Sequence, residues 1–538
     1  MKPIGYISLC AALALSGCIK DTLDKARKIK KVKWTGTYAA PLIIADLDLA
    51  DAVDLVKDAA SLGIQSDQTV YLEYANAHVS VRATDWVKLQ NQNGSQTEQL
   101  SPSEQTALLT SGAVQVMRNF SHSWSNGGME LDSFLCSAGS MQCNFNTNLQ
   151  HDGSITLVFN SLIKNGAPLT LTGNFTYTGG LSSLNFNRDL TGYVFDLSRS
   201  APGYNQFEAS VRLDLTKSGS VVLPSDQFQI NVSLNGMQYR RVHGYFGQTL
   251  LLNPADSAKL SVFTSALSKG KVQFEDPRVK LAFTNSMGLP YRFTANSIHF
   301  SIPGVSFQNL NAPPAPFPGK AAAFSALPSV VKDSIVYNNG NSNVKALIAN
   351  EPHYFAYDVS ALANPLGKTS NRNFLWDESV LELKASLELP FYGISSTLVL
   401  EDTSDFSLNG GKEVSYIDWI RFRFHTENGM PLSLGFQAYF MDSFNHVLDS
   451  VFTPYRYILP GATVDAGGNV TAPAIEQFDA IINRPRIAHI NEARKLRLRI
   501  MVPTSQYNGS PGPVRITRNQ KIKLKAGVEI KLSANAPI

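Results

Sequence analysis

Along most of this chain apolar residues alternate with polar ones, and few stretches repeat at three and four. VYLEYANAHVSV from Val70 reads as a strand with two distinct faces, and FEASVRLDLTKSG, VVLPSDQFQINVSLNG and YRRVHGYFGQTLLL repeat the pattern beyond Phe207. Further short strands are expected near 112–120, 130–136 and 143–149, then at Ser154–Phe159, Leu169–Tyr177 and Leu184–Asn187. The polar stretch Gln90 to Ser103 reads as a loop. Late in the chain, IKLKAGVEIKL alternates apolar residues with lysines, which predicts a strand with one wet face. One segment differs. Asp46 to Leu62, DLDLADAVDLVKDAASL, spaces leucine and valine three and four apart with acidic residues early and Gly63 behind, and predicts a helix. A parallel α/β domain would need long amphipathic helices between strands, and the pattern supplies none. The expected class is mainly β, with multiple sandwich-like antiparallel domains and one helix near 46–62.

Two turns share a chemistry. Phe283-Thr-Asn285-Ser-Met-Gly-Leu-Pro290 precedes YRFTANSIHF, and Phe424-His-Thr-Glu-Asn428-Gly-Met-Pro431 precedes LSLGFQAYF. Each is strand, turn with Asn, Met, Gly and Pro, then strand, which favours a duplicated sandwich over shared turn chemistry alone. Residues 311–328, NAPPAPFPGKAAAFSALP, hold four prolines in the first eight positions and read as a stiff linker or a loop laid along a surface. The expected division is a signal peptide over 1–17 and a basic tether over 18–34. A mixed, mainly β region over 35–200 follows, then a sandwich over 201–310, the linker over 311–328 and a C-terminal sandwich region over 329–538.

The start of the chain carries the most specific signal. Lys2 is followed by an apolar run from Ile4 to Leu15, too short to span a bilayer, and then by Leu15-Ser16-Gly17-Cys18. This resembles the lipobox of bacterial lipoproteins, which implies lipid on the Cys18 sulfur and cleavage just before it. No aspartate follows Cys18 directly, which favours the outer membrane. Lys25, Arg27, Lys28, Lys30, Lys31 and Lys33 then lead to Trp34, a run suited equally to anionic head groups and to a solvated tether.

Composition narrows the rest. Only 17% of the 538 residues are charged, and the net charge of +4 with no basic aromatic stripe argues against nucleic acid. Of four cysteines, Cys10 leaves with the signal peptide and Cys18 is lipidated. Cys136 and Cys143 enclose a Gly/Ser segment, CSAGSMQC, which in an oxidising compartment predicts a disulfide across a hairpin tip.

Catalytic and metal signatures do not emerge. There is no G-x-S-x-G elbow, no H-E-x-x-H, no Rossmann fingerprint and no P-loop, and the nine histidines show no ligand spacing. Ser137 and Ser140 lie in the Gly/Ser segment with no positioned base. Asp402, Asp405, Asp442 and Asp449 suit turn caps better than calcium ligands or glycosidase acids. Phe391-Tyr392-Gly393 reads first as a packing corner and second as an aromatic turn offered to a glycan or protein. No catalytic, cofactor-binding or metal-ligating residue is assigned, and no cofactor is expected.

Several stretches resemble a group of large outer-membrane lipoproteins of Bacteroidota: WTGTYAAPLIIADLDLADAV, GKVQFEDPRVKLAFTNSMGLP, LELPFYGISSTLVLEDTSDF and FHTENGMPLSLGFQAYFMDSFNHVLDS. The paired segments are also distantly similar to LEA-type β-sandwich domains. The resemblance implies no active-site residues. Together these readings lead to an expectation of a non-enzymatic accessory or binding subunit. It would be held in the outer membrane by lipid on Cys18 and partnered by a β-barrel or companion lipoproteins of an assembly, transport or secretion complex. Surface glycan binding and lipid binding or transport are the alternatives. Replacing Cys18 with alanine is expected to abolish incorporation of labelled palmitate and to release the chain into the soluble envelope fraction. A C18A chain that stays membrane-bound overturns the anchor.

Overall fold

In a strand with one buried face, every second side chain must find apolar partners, and the chain meets this demand by stacking sheets in pairs. The computed structural model describes residues 34–48, 61–75, 79–218, 221–223, 225–264, 272–305, 307–315, 319, 321–325, 328–395, 399–407, 412–453 and 456–534. All ladders between the described strands are antiparallel, which confirms the mainly β class.

The strands group into three sandwiches that share one plan. In the innermost, apart from the short Val194–Asp196 strand that bridges the third and fourth, eight strands follow in order: Gln92–Gln99, Ala113–Ser123, Glu130–Thr147, Asp152–Lys164, Ala167–Phe175, Ser182–Asp189, Gln206–Thr216 and Gln227–Tyr245. One sheet runs first-eighth-third-sixth. The other runs second-seventh-fourth-fifth.

The middle sandwich repeats this order. Its first strand is split into Val70–Ala75 and Val79–Arg82, and its second into Leu250–Leu252 and Ala255–Lys259. Then come Arg278–Asn285, Tyr291–Ser301, Gln308–Asn309, Val331–Tyr337, Tyr354–Ala363 and Val380–Pro390. The pairings again read first-eighth-third-sixth and second-seventh-fourth-fifth.

The outer sandwich does so a third time, with Trp34–Asp48, Val399–Asp405, Ile417–Asn428, Leu434–Met441, Val447–Ser450, Ala474–Asn483, Lys495–Met501 and Lys521–Ala534. Its sheets are first-eighth-third-sixth and second-seventh-fourth-fifth. Eight strands in two four-stranded sheets with this order form a jelly roll.

The three jelly rolls are nested. The chain forms the first strand of the outer copy, then the first strand of the middle copy, then the whole inner copy. It returns to complete the middle copy and finally the outer one. Each insertion falls between a host's first and second strands. Sheet membership therefore crosses the sequential blocks expected at 35–200, 201–310 and 329–538. Residues 311–328 do not separate halves but join the fifth and sixth strands of the middle copy, lying along its surface through Gly319 N–H to Tyr291 and Ala322 N–H to Met287.

The connection between third and fourth strands shows why the copies share a fold. Asn285 ends its strand buried, accepts a hydrogen bond from Met287 N at 2.9 Å and donates to the Met287 carbonyl at 3.2 Å. Asn428 accepts from Met430 N at 2.9 Å and donates to the Leu432 and Pro460 carbonyls. In the inner copy Thr147 accepts from Leu149 N at 3.1 Å and donates to the Gln227 carbonyl. Met287, Met430 and Leu149 are all buried. The next residue along, Ser286, Gly429 or Asn148, donates its backbone N–H to the first residue of the eighth strand. The duplicated turn is thus a triplicated one, and threonine replaces asparagine in the copy that escaped the pattern.

Several expected elements change. Asp46–Asp48 lie in the first outer strand and Ser61–Leu62 begin the Ser61–Ile64 strand, while the rest of the expected helix lies outside the described residues. Asp46-Leu47-Asp48 alternates at period two as readily as it fits a helix, and its pairing with Lys521–Lys523 decides in favour of strand. The expected loop at 90–103 contains the Gln92–Gln99 strand, whose polar face is solvated while its backbone pairs with eight residues of the eighth strand. It leads into a helix, Pro102–Ser111, with a capping box between Ser101 and Glu104, proline in the first turn and Gly112 left-handed at the C-cap. Arg118 grips both Glu104 oxygens and pulls that carboxyl down to about 2.

The Cys136–Cys143 disulfide is not formed, and both thiols are free and buried. The two residues lie on one strand rather than across a hairpin tip. Seven residues of strand span roughly 20 Å, far beyond the reach of a disulfide, about 7 Å between Cα atoms. Gly139 sits opposite a bulge at Asn235–Gln238, where an added Cβ would strike the Met237 sulfur. The Gly/Ser segment marks a bulge, not a turn.

Removing one arch side chain leaves a buried backbone N–H unpaired, which costs about 1–3 kcal/mol. N285A and N428A are each expected to lower the denaturant midpoint, while N285T, which keeps the acceptor that Thr147 supplies naturally, loses less. Equal losses for N285A and N285T, read by urea titration, refute this role of the arch.

Candidate functional site

The side chains richest in chemistry gather where one jelly roll meets the next. At the inner–middle junction the eighth strand overruns its own sandwich and pairs with Asn373–Trp376 of its host, matching Arg241 to Trp376, Val242 to Leu375, His243 to Phe374 and Gly244 to Asn373. The Arg241 guanidinium lies 5.4 Å from the Trp376 ring and 5.3 Å from Phe324, which the 311–328 segment delivers. His243 packs 5.2 Å from the same Phe324, and Phe324 meets Phe374 edge-on. Burial, and next Arg241, push the His243 imidazole below its ordinary value and favour the neutral ring. Phe324 remains 55% exposed. The arginine itself occupies the aromatic enclosure, so the cluster holds the two domains together rather than standing open to a foreign cation.

Ion pairs surround it. Arg372 binds Asp132 and Glu130, Lys368 binds Glu130 at 2.7 Å, and Arg240 binds Asp377 and Glu378. Lys368 also lies 4.8 Å from the Tyr204 ring. All of these cross between inner and middle copies. Gly244 admits no side chain, because a Cβ there would fall 2.0 Å from the Glu130 carbonyl oxygen.

The middle–outer junction is built alike. Tyr392 pairs with Arg515 and Gly393 with Val514, and the Arg515 guanidinium stacks 3.8 Å from the Tyr392 ring. Ile516 donates its N–H to Phe391 and accepts from Val70 N–H. Gly393 is closed to a side chain by the Gln273 carbonyl, as Gly244 is by Glu130. Phe391-Tyr392-Gly393 is thus a packing corner between domains.

A second surface lies on the outer face of the first-eighth-third-sixth sheet of the outer copy. Gly527, Ala39, Ala40 and Pro41 floor an open depression of about 460 Å³, flanked by Arg423, His425, Lys525 and Glu529. Arg421 pairs with Glu529 at 3.1 Å, Arg423 with Asp479 at 2.9 Å and Lys523 with Glu427 at 3.1 Å. Asp479 is held below the usual carboxylate range, chiefly by its hydrogen bonds to Arg423. Cations and anions compensate across this face, which is the wet side expected for the lysine-bearing strand.

The other residues singled out by sequence do not converge. Cys18 lies outside the described residues. Asp442 caps a turn through the Phe444 and His446 N–H groups, Asp449 pairs with Arg486 at 2.8 Å, and Asp402 and Asp405 lie in the Val399–Asp405 strand. Ser137 and Ser140 lie within the Glu130–Thr147 strand. Among the described residues no group of three His, Cys, Asp or Glu side chains is placed to hold a metal. No described helix is long and apolar enough to cross a membrane.

No family model matches the chain, and no curated relative matches it. Among solved structures it is similar to a protein described as secreted from Parabacteroides distasonis, at 12% identity and a TM-score of 0.25, over 58% of this chain and 85% of that one. It is also similar to the VP2 protein of infectious bursal disease virus, at 7% identity and a TM-score of 0.13, over 88% of this chain and 82% of that one. The jelly-roll order follows from the strand pairing of this chain itself. The expected likeness to LEA-type domains finds no support.

Burial raises the Cys136 thiol to about 11 and the Cys143 thiol to about 12, so neither is a thiolate at neutral pH. Protein purified under air is expected to show two slow-reacting thiols that alkylate fully on unfolding without reductant. Absence of alkylation until a reductant is added would restore the disulfide.

Proposed function

We propose that this protein is a non-enzymatic binding subunit of the bacterial outer membrane. Lipid on Cys18 holds it there, and its partner is an outer-membrane β-barrel or the companion lipoproteins of an assembly, transport or secretion complex. The nesting carries this reading. The strand that follows the basic tether, Trp34–Asp48, belongs to the outer jelly roll, and the inner one is two insertions removed. An anchor at the start of the chain keeps the outer copy near the bilayer and presents the inner copy at the far end of the series.

The junctions support the same role. Paired strands and an arginine against an aromatic ring at each boundary, with ion pairs added at the inner–middle one, suit a stiff spacer better than a flexible string of domains. A glycan platform receives less support, since Trp124 and Trp376 are buried and Trp86 and Trp419 half-buried.

Native pull-down from gently solubilised envelopes, with quantitative mass spectrometry, tests the proposal. Stoichiometric recovery of a β-barrel or a second lipoprotein is the expected result and names the process served. Recovery of the chain alone across several mild detergents overturns it.

A further inference from the structure

The three copies can be compared at the end where a host receives its guest. In the middle copy the receiving segment is Phe374-Leu375-Trp376, closed by Ser379, whose hydroxyl accepts from Trp376 N and whose N–H donates to the Trp376 carbonyl. In the outer copy it is Arg515-Ile516-Thr517, closed in the same way by Gln520. In the inner copy Val221-Val222-Leu223 stands at this position, closed by Asp226, whose carboxylate accepts from Leu223 N at 2.7 Å and whose N–H donates to the Leu223 carbonyl. In each copy the eighth strand begins right after the closing residue, and its first carbonyl takes the arch N–H.

In two copies this segment is covered by a neighbouring domain. Leu375 pairs with Val242 and is fully buried, and Ile516 uses both its N–H and its carbonyl on the middle copy. The flanking Phe374 and Trp376 are 9% and 6% exposed. In the inner copy no domain is inserted, because the Pro102–Ser111 helix joins its first strand to its second. Among the described residues the Val222 backbone has no hydrogen-bond partner, and Val221 and Leu223 are 45% and 42% exposed.

We propose that Val221–Leu223 is a strand-acceptor site, and that its occupant is an extended segment of a partner protein that adds antiparallel to Val222. The two resident guests define its chemistry. They read Val242-His243-Gly244 and Phe391-Tyr392-Gly393, so an apolar residue lies against the central acceptor residue, followed by a ring and then glycine. The incoming strand contributes an N–H and a carbonyl to Val222 and covers the two exposed apolar neighbours, which is the logic of β-strand addition. This deepens the binding role proposed above by naming the contact. The two fail separately, since the pull-down depends on the natural partner and the test below does not.

The probe is a labelled synthetic peptide covering residues 238–247, added to the full chain and followed by fluorescence anisotropy and by hydrogen exchange of the fragment containing Val222. The expected result is saturable binding with slowed exchange at 221–223. Binding should weaken at least about tenfold for V222P, which removes the ladder N–H, and for the surface double variant V221K/L223K. A peptide with proline at the position of Val242 should not bind. Thermal melts of the variants must match the parent, and V221K/L223K keeps the test valid if V222P fails to fold. No slowing at 221–223, equal binding by the proline peptide, or undiminished binding to V221K/L223K overturns the proposal. So does exchange already slow in the free chain and dependent on its concentration, which would assign the site to a second copy.

Discussion

Everything in this architecture depends on the pairing of each domain's first strand with its eighth. Because these two strands are antiparallel neighbours, a jelly roll begins and ends at one place. A domain whose ends lie side by side fits into a single connection of a host without tearing the host's sheets. Trp34 lies opposite Ala534, Tyr71 opposite Pro390 and Gln92 opposite Leu234. The same constraint is met three times, and so the same insertion point is used twice. It also sets how far apart in the chain each pair of closing strands lies. The inner copy is continuous over 92–245 and needs nothing from outside, whereas the Trp34–Asp48 strand waits for Lys521–Ala534 at the other end of the chain. Closing so long a loop costs entropy that only the completed outer sandwich offsets, whereas the inner copy closes over shorter loops.

Within each copy the polar arch is the device the three share most plainly. Burying an asparagine side chain is unfavourable unless its hydrogen bonds are made, and Asn285 and Asn428 both make them with their own turns. The arch joins a strand of one sheet to a strand of the other and sets the spacing between them. Its carbonyl partner is the first residue of the eighth strand, so it also fixes where that strand starts. One short turn thus governs both the thickness of a sandwich and the position of the segment that receives a neighbour.

Strand content was legible in the sequence because alternation survives in Gln206–Thr216, Arg278–Asn285 and Lys521–Ala534, each with one buried face. The duplicated turn was legible too, through its Asn and Met. Three things were not. The third arch hides behind Thr147, which performs the same hydrogen bond with different atoms. The Gln92–Gln99 strand is polar along its length and is held by its backbone, so side-chain pattern says nothing of it, although Ser101-Pro-Ser-Glu104 ahead of Gly112 does mark the helix that follows. Nesting leaves no local trace, since the partner of Trp34 lies 500 positions away, at Ala534. The junction clusters were hidden for the same reason. Arg241, Phe324 and Trp376 come together only once the middle sandwich has closed around its guest.

The double crossing at each boundary has a consequence for integrity. Two separate lengths of backbone join the inner copy to the middle one, between 82 and 92 and between 245 and 250, and two more join the middle copy to the outer, between 48 and 61 and between 395 and 399. In a tandem string of domains one protease cut between neighbours sets the distal part adrift. Here a cut in one crossing leaves the other intact, with the severed end still clasped by a full ladder. Shedding the far domain takes two cuts at the same boundary, so the chain behaves as a double-stitched seam and tolerates damage that would dismantle a linear arrangement of the same modules.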